Sequence, residues 1–388
     1  MNRVCSIFAQ LLQLFPRGQF QQAVEKHKAE RHARGFSCWG QFVAMLFMQL
    51  AHAQSLREIC NGLAASEGKL RHLGIPEAPN KSTLAYANEH RPWELYQTIF
   101  YQVLEQCQSV AQGKKKFRFK NRLLSLDSTS IDLCAEVYDW ARYKRTKGAV
   151  KLHMLLDNEG YLPCFAHITD GKSHDVTVAR TLRFARGTIV AMDKGYVDYA
   201  WWKQITEDGA YFVSRLKEDL KYEVIEQREI PRNSNVRRDC LIRIAATAQR
   251  PFELTLRLVT VWDEKKEREL TFITNHLQFG ATTIARIYKE RWQIELFFKA
   301  LKQLLRVKTF VGTSANALKT QIWTALIAIL LLKYLHLRSS FGWSLSNLVA
   351  IIRQQLFVYR ELYGWLDDPF KAPPVLAGVH DAQLRLDW

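Results

Sequence analysis

Tyr288, Arg291, Glu295, Lys299 and Lys302 stand in one stretch, IYKERWQIELFFKALKQLL, with the spacing Y-x2-R-x3-E-x3-K-x2-K. On a helix turning about 100° per residue, these side chains fall within an arc of roughly 80°. One carboxylate then lies among cations and a phenol. A carboxylate can hold a divalent metal while neighbouring cations hold phosphate oxygens, so the stripe suits phosphodiester chemistry. Ile287, Ile294, Phe297, Phe298, Leu301 and Leu305 make an adjacent apolar face that would anchor such a helix to a core. The alternative is a solvated face with i,i+4 ion pairs such as Glu295 with Lys299.

Two aspartates extend the set. LLSLDSTS reads as a strand ending at Asp127, and GTIVAMD as a short apolar strand ending at Asp193. Parallel neighbours in an α/β sheet bring their strand ends to one edge. Carboxylates held close there repel each other unless a cation bridges them. Glu295, on a helix packed against that edge, would complete an oxygen set suited to Mg²⁺. Two such ions about 4 Å apart can activate an attacking oxygen and stabilise a leaving one. Alone, a strand-end aspartate is more readily a turn or cap residue.

Elements of both periods surround these residues. Residues 1–111 read as helical; Ser55 with Glu58 forms a capping box and Ser82 caps a short helix ending before Pro92. Successive short helices, one opened by Lys81 and Ser82, resemble a helix-turn-helix DNA-binding module, with a plain helical bundle as the alternative. QGKKKFRFKNR, 112–122, is a basic linker able to track phosphates. AVKLHMLLD and YLPCFAHITD flank a turn and predict a hairpin. A helix capped by Ser173, the strand to Asp193, a helix closed by Gly209 and the strand AYFVSRL follow. Alternating segments across 217–266 predict a small antiparallel β insertion, after which ELTFITNH leads back to the main unit. The chain divides into a helical N-terminal DNA-binding domain (1–111), a linker (112–122), a core in two parts (123–216 and 267–316) around the insertion (217–266), and C-terminal helices with a tail (317–388).

The chain has 388 residues, 48% of them hydrophobic, and a formal charge of +17. The hydrophobic share suffices for a packed core, and the positive excess favours a polyanionic partner such as nucleic acid. Seven scattered cysteines, none in a C-x2-C spacing, argue for reduced thiols and against a zinc site or disulfide framework. The apolar run 322–332 is too short to span a bilayer and reads as a buried core helix in a cytosolic protein. The N-terminal MNRVCSIFAQLLQLF lacks a small-residue cleavage site and reads as an amphipathic helix.

LSLDSTSIDL, KLHMLLDNEGYLPCFAHITDGKSHD, AMDKGY and YKERWQIELFFKALK together resemble the DDE transposases of bacterial insertion sequences, the IS4 family above all. The signature of that family, Y-x2-R-x3-E-x6-K, is matched by Tyr288, Arg291, Glu295 and Lys302. The resemblance implies an α/β, RNase H-like catalytic core carrying a β insertion between the second and third acids. It implies that Asp127, Asp193 and Glu295 are catalytic and bind two Mg²⁺ ions, with Mn²⁺ as substitute. Arg291, Lys299 and Lys302 would grip phosphates, and Tyr288 would add a hydrogen bond. Metal-dependent cleavage at element ends, followed by joining of the freed 3′-OH to target DNA, is the implied reaction. Relatives form hairpin ends with a flipped base stacked on an aromatic ring; Trp292 and Trp262 are candidates, with burial as the competing reading of Trp262. The implied partners are duplex DNA at terminal inverted repeats, target DNA and a second copy of the chain, with no membrane and a nucleoid-associated cytoplasmic location.

The basic run Arg142, Lys144, Arg145, Lys147 and Lys151 is either solvated surface or a DNA-neutralising groove. His153 and His174 are read as structural, because Mg²⁺ prefers oxygen to imidazole. Asp175 would cap a helix or support the metal ligands from outside. A metal-dependent RNase H-like nuclease without strand transfer, or a DNA-binding protein with a dead site, would share parts of this pattern.

Overall fold

The computed structural model describes residues 5–31, 33, 35–66, 68–111, 121–134, 138–144, 147–217, 220–232, 234–247, 251–304 and 310–371. Its helices are α1 (Ile7–Leu12), α2 (Arg17–Lys26), α3 (Cys38–Ala51), α4 (Leu56–Ala64), α5 (Lys81–His90), α6 (Glu94–Ala111), α7 (Asp175–Ala179), α8 (Tyr199–Glu207), α9 (Ala281–Glu290), α10 (Trp292–Leu304), α11 (Ala315–Arg338), α12 (Leu345–Gln355) and α13 (Leu362–Asp367). The strands are β1 (Leu123–Cys134), β2 (Arg142–Lys144), β3 (Lys147–Asp157), β4 (Leu162–Asp170), β5 (Ile189–Met192), β6 (Tyr211–Arg215), β7 (Glu223–Gln227), β8 (Val236–Ile244), β9 (Leu254–Asp263) and β10 (Arg268–Thr274). Most of the expected basic linker (112–120), Arg145, Leu305 and the tail from 372 lie outside the described residues.

The ten strands form one sheet in the order β2-β3-β1-β5-β6-β10-β9-β8-β7, with β4 also paired to β3. Within it, β1, β3 and β4 make an antiparallel meander, while β5 is parallel to both β1 and β6. The run β4-β3-β1-β5-β6 is the RNase H-like arrangement. The strands expected as a separate insertion extend this same sheet. β10 pairs antiparallel with β6 through Phe272↔Arg215 and Ile273↔Ser214, and β9, β8 and β7 follow outward. The middle of β6 is buried, and an unpaired edge there would strand its backbone amides and carbonyls away from water. β10 satisfies them.

Apolar residues on the two faces of the sheet sort into different cores. Leu124, Leu126, Val190, Met192 and Phe212 pack with Trp201, Trp202 and Ile205 of α8. Asp198 starts that helix by accepting the Trp201 amide at 2.8 Å, and Gly209, at φ +70°, ends it where a side chain would be strained. On the other face, Leu123, Ile189, Ala191, Val213 and Phe272 pack with Ile284 and Ile287 of α9. Further along that face, Ile131, Leu152, Met154 and Leu156 meet the helical body.

The helices at the two ends of the chain, expected as separate units, share one core. α11 runs through it, with Trp323 1% exposed and stacked near Trp93 at 6.3 Å. The 24-residue α11 is long and apolar enough to cross a membrane, unlike the run 322–332 taken alone, but 83% of its most apolar window is buried inside the protein. It is a core helix, as expected. The capping box forms at α4: Ser55 accepts the Glu58 amide at 3.2 Å and Glu58 accepts the Gln54 amide at 2.9 Å. Two other expected caps move by one or two residues. Asn80, not Ser82, precedes α5, and His174, not Ser173, precedes α7. In each case the backbone turns helical at once after an extended residue, and the serine hydroxyl is not the group at the boundary. Ser173 instead donates to Asp170 at 2.7 Å.

Candidate active site

The last parallel pair between β1 and β5 is Leu126↔Met192. Asp127 and Asp193 are therefore the next residues on two neighbouring strands. β1 does not end at Asp127 as expected; it continues to Cys134 on the ladder with β3, with Asp127 opposite Met154. What ends there is the β1–β5 pairing. The chain leaves β5 through a 3₁₀ turn, Lys194–Tyr196, whose first amide donates to the Asp193 carboxylate at 2.7 Å. Side chains alternate along a strand. Asp127 thus shares the face of Leu123 and Ile131, which is the face covered by α9 and α10.

Residues 288–302 do not form the single helix projected from their spacing. α9 stops at Glu290 and α10 starts at Trp292. At the junction the Arg291 amide bonds to the Tyr288 carbonyl and the Ile294 amide to the Arg291 carbonyl, each at 3.1 Å and three residues apart. The reason lies in the packing. Ile284 and Ile287 enter the core under β5 and β6, whereas Ile294, Phe297, Phe298 and Leu301 enter the core shared with α11. The chain is re-aimed at Arg291 to serve both.

That break places Arg291 between two of the acids. Its Nη1 donates to Asp127 Oδ2 at 2.8 Å and its Nη2 to Glu295 Oε1 at 2.6 Å. The side chains of Arg291, Asp127 and Glu295 are 11%, 18% and 34% exposed. Burial pushes the Asp127 carboxyl up to about 6; Arg291 and the Ser128 amide oppose the rise, while Asp193 and Glu295 add to it. The three carboxylates therefore feel one another across the end of the β1–β5 ladder. Burial works against the charge of Arg291, but Tyr288, Asp127 and Glu295 outweigh it and raise its pKa. Arg291, expected to reach for DNA phosphate, is here turned inward. Among the described residues no three His, Cys, Asp or Glu side chains stand grouped as a ready metal site.

The other residues of the stripe divide. The Tyr288 ring lies 4.8 Å from Phe272, half-buried beside Arg291. Trp292 is 53% exposed and Leu296 44% exposed, and with exposed Lys299 they form the outer face of α10. Lys302, expected as a phosphate contact, donates to the Ser130 carbonyl at 2.7 Å and ties α10 to β1. Arg142, Lys144 and Lys147 lie on the β2–β3 hairpin, at the far end of β3 from its turn into β4. Lys81 and Ser82 open α5 and are exposed. Trp262 is half-buried at the outer strands, its amide bonded to the Asn235 carbonyl at 2.8 Å.

Behind Asp127, on the opposite face of β1, lies a polar network. Ser128 donates to Asp175 Oδ1 at 2.8 Å; Lys151 reaches the same oxygen at 3.3 Å and the Ser173 carbonyl at 3.0 Å. His153 is fully buried, with Nε2 at 2.8 Å from the Thr169 hydroxyl and Nδ1 at 3.6 Å from Asp175. Burial lowers its pKa to about 4, against the pull of Asp175, so it serves as a neutral structural group. Lys151 joins this network from the basic run. Ser128 is the member not anticipated from the sequence. It lies inside the matched segment LSLDSTSIDL, one residue after Asp127.

A sheet of RNase H-like order, with Asp127 and Asp193 directly after the last β1–β5 pair and Glu295 brought in by a helix, is the arrangement expected of a DDE transposase. The comparisons with known proteins agree. The family model described as Transposase DDE domain matches residues 118–331, more than half of the chain, and one described as a domain of unknown function (DUF4372) matches residues 4–76. A Sinorhizobium fredii protein named as transposase y4zB is 33% identical over 281 residues, 71% of this chain and 77% of that one. A Geobacillus stearothermophilus protein named as the transposase for insertion sequence element IS5377 is 26% identical, over 75% of this chain and 81% of that one. InsG of Escherichia coli, the transposase for insertion sequence element IS4, is 24% identical over 38% of this chain and 34% of its own length. A piggyBac transposase, solved as a synaptic complex with hairpin DNA, aligns at TM-score 0.43 and 12% identity over 95% of this chain and 80% of its own, too loosely to carry an argument. The chain belongs to the DDE transposases of insertion sequences, in the IS4 family.

Proposed function

We propose that this transposase cleaves phosphodiesters at the ends of its insertion sequence and joins the freed 3′-OH to target DNA. The observation that carries this reading is that Asp127 and Asp193 each directly follow the last pair of the parallel β1–β5 ladder, Leu126↔Met192, on the face where α10 presents Glu295. The donors are all carboxylate oxygens and their charges are mutually repulsive, which suits hard divalent cations. Asp127, Asp193 and Glu295 would hold Mg²⁺, or Mn²⁺ in its place. When bound, the pair would supply Lewis-acid activation of the attacking oxygen and stabilise the leaving one.

The rest of the surface has a part in DNA binding. On α5, Lys81, Ser82 and Thr83 are exposed, and Tyr86, 65% exposed, stacks on His90 at 3.9 Å. With α4 before it, this helix is suited to read duplex DNA at the terminal repeats. Trp292 and Leu296 offer an apolar platform for an unstacked base beside the acids, and Lys299 a phosphate contact. Two copies would pair the two element ends.

The test incubates the protein with duplexes taken from the DNA flanking its reading frame, Mg²⁺ and a target plasmid. Joined products are expected, and Glu295→Gln is expected to abolish them while leaving end binding intact. Cleavage without joining would replace the reading by that of a nuclease, and binding alone by that of a catalytically dead DNA-binding protein.

A further inference from the structure

We infer that Arg291 is a DNA-operated latch on the metal site: without DNA it clasps Asp127 and Glu295, and a DNA phosphate draws it away and frees both carboxylates for divalent ions. This rests on the reading of Asp127, Asp193 and Glu295 as metal ligands given above.

In the clasped state the donor oxygens are occupied. Asp127 Oδ2 and Glu295 Oε1 are each engaged by one arm of the guanidinium, at 2.8 and 2.6 Å. Mg²⁺ needs its oxygens at about 2.0–2.1 Å. The guanidinium supplies positive charge to both carboxylates at once. The donor set fits a divalent ion in kind, but one oxygen of each of these two carboxylates is taken by Arg291.

This clasp can be exchanged. A phosphate offers the guanidinium fork the same two-oxygen geometry as the carboxylates do. Arg291 Nε is buried without an acceptor in the clasped state, so the carboxylates do not use the whole fork. Arg291 stands in the break between α9 and α10, where the bonds already run three residues apart. Its side chain can re-aim without unwinding either helix. Trp292 is half-exposed and Lys299 exposed on the outer side of α10, so DNA lying there brings phosphates within reach of the junction.

Charge balance couples the exchange to metal binding. With Arg291 gone to phosphate, the Asp127 and Glu295 carboxylates lose the guanidinium that contacts them at 2.8 and 2.6 Å and keep their negative charge for another cation. Divalent ions then bind where they were previously opposed. Linkage makes the effect reciprocal: DNA tightens the metal and the metal tightens DNA. The cutting site is thereby assembled only on a bound duplex.

The experiment measures Mn²⁺ binding to the full chain by the electron paramagnetic resonance of free aqueous Mn²⁺. It is run with and without a duplex oligonucleotide, and the Mn²⁺ taken up by the duplex alone is subtracted. For the unaltered protein, DNA should tighten Mn²⁺ by roughly 5- to 150-fold, the usual range of coupled sites. Arg291→Gln should bind Mn²⁺ tightly without DNA and gain little from it, and Arg291→Lys, which cannot bridge both acids with a fixed fork, should fall between. Mn²⁺ binding by the unaltered protein that DNA does not change overturns the latch without recourse to any variant. Binding lost in Glu295→Gln but no tighter in Arg291→Gln than in the unaltered protein also overturns the latch, and leaves the metal assignment standing. Mn²⁺ uptake that persists in Glu295→Gln with DNA present overturns the assignment itself, and the latch with it.

Discussion

The outer strands carry a buried ion pair whose removal should show strong coupling. Asp239 on β8 and Arg257 on β9 are each 4% exposed and paired through two bonds, at 2.8 and 2.6 Å. Arg257 also donates through Nη1 to the carbonyls of Leu277 and Phe279, in the segment that leads into α9. Asp239→Leu leaves a buried guanidinium without its counter-charge, at a cost of about 3–5 kcal/mol. Arg257→Met strands Asp239 at a similar cost of about 3–5 kcal/mol and leaves the two carbonyls short of a donor, adding about 1–3 kcal/mol. In the double variant no charge is left alone, and only the carbonyl loss remains. Its destabilisation should fall short of the sum of the single variants by at least about 3 kcal/mol. Urea denaturation followed by tryptophan fluorescence and by circular dichroism gives each value by linear extrapolation, with coincidence of the two probes as the check on two-state unfolding. Additivity within about 0.5 kcal/mol would refute the assignment of a coupled, desolvated pair.

His276 should make the protein acid-sensitive. Burial, then Arg257, lowers its pKa from 6.5 to about 4, and its Nδ1 accepts the amides of Gln278 and Phe279 at 3.3 and 3.2 Å. The folded state thus binds fewer protons than the unfolded chain between pH 6.5 and about 4, so stability should fall by up to about 3 kcal/mol as pH drops through that window; His276→Gln should flatten the fall in a urea series, and an unchanged pH profile would count against it. Lys299→Ala should lower the slope of log K against log salt for DNA binding by about 0.9 in size, and an unchanged slope would exclude a phosphate contact. Trp292→Ala should leave folding stability within about 0.5 kcal/mol yet weaken the complex with hairpin or frayed ends by about 1–3 kcal/mol; equal affinity for such ends would remove it as a stacking platform.

Much of the site was legible because its signals are local. The apolar runs before Asp127 and Asp193 formed strands, and the apolar faces of 287 and 294–301 became buried as their periodicity required. What the pattern did not reveal depends on partners distant in the chain. A helical projection treats 288–302 as one cylinder, whereas the two halves answer to different cores and part at Arg291. Asp127 looked like a strand terminus because the polar Ser-Thr-Ser after it resembles a turn, yet β3 keeps that segment extended. The union of β6 with β10 depends on backbone pairing, which alternation in either strand leaves unspecified. The inward turn of Arg291 and the Lys302 bond to Ser130 follow from where α10 settles on β1.

The burial of α11 against α3, α5 and α6 has a consequence for synthesis on the ribosome. The early helices emerge with Phe100 and Tyr101 seeking cover, but Trp323 of α11, which packs on both, is translated only after the entire sheet. The first third of the nascent chain must therefore wait, partly assembled, until α11 is released. An interrupted message would yield a fragment with a raw apolar groove, and a start within the gene would yield a 24-residue greasy helix with no groove to receive it. Either product is a natural client for chaperones and proteases, so incomplete copies of this transposase gene should leave little protein behind.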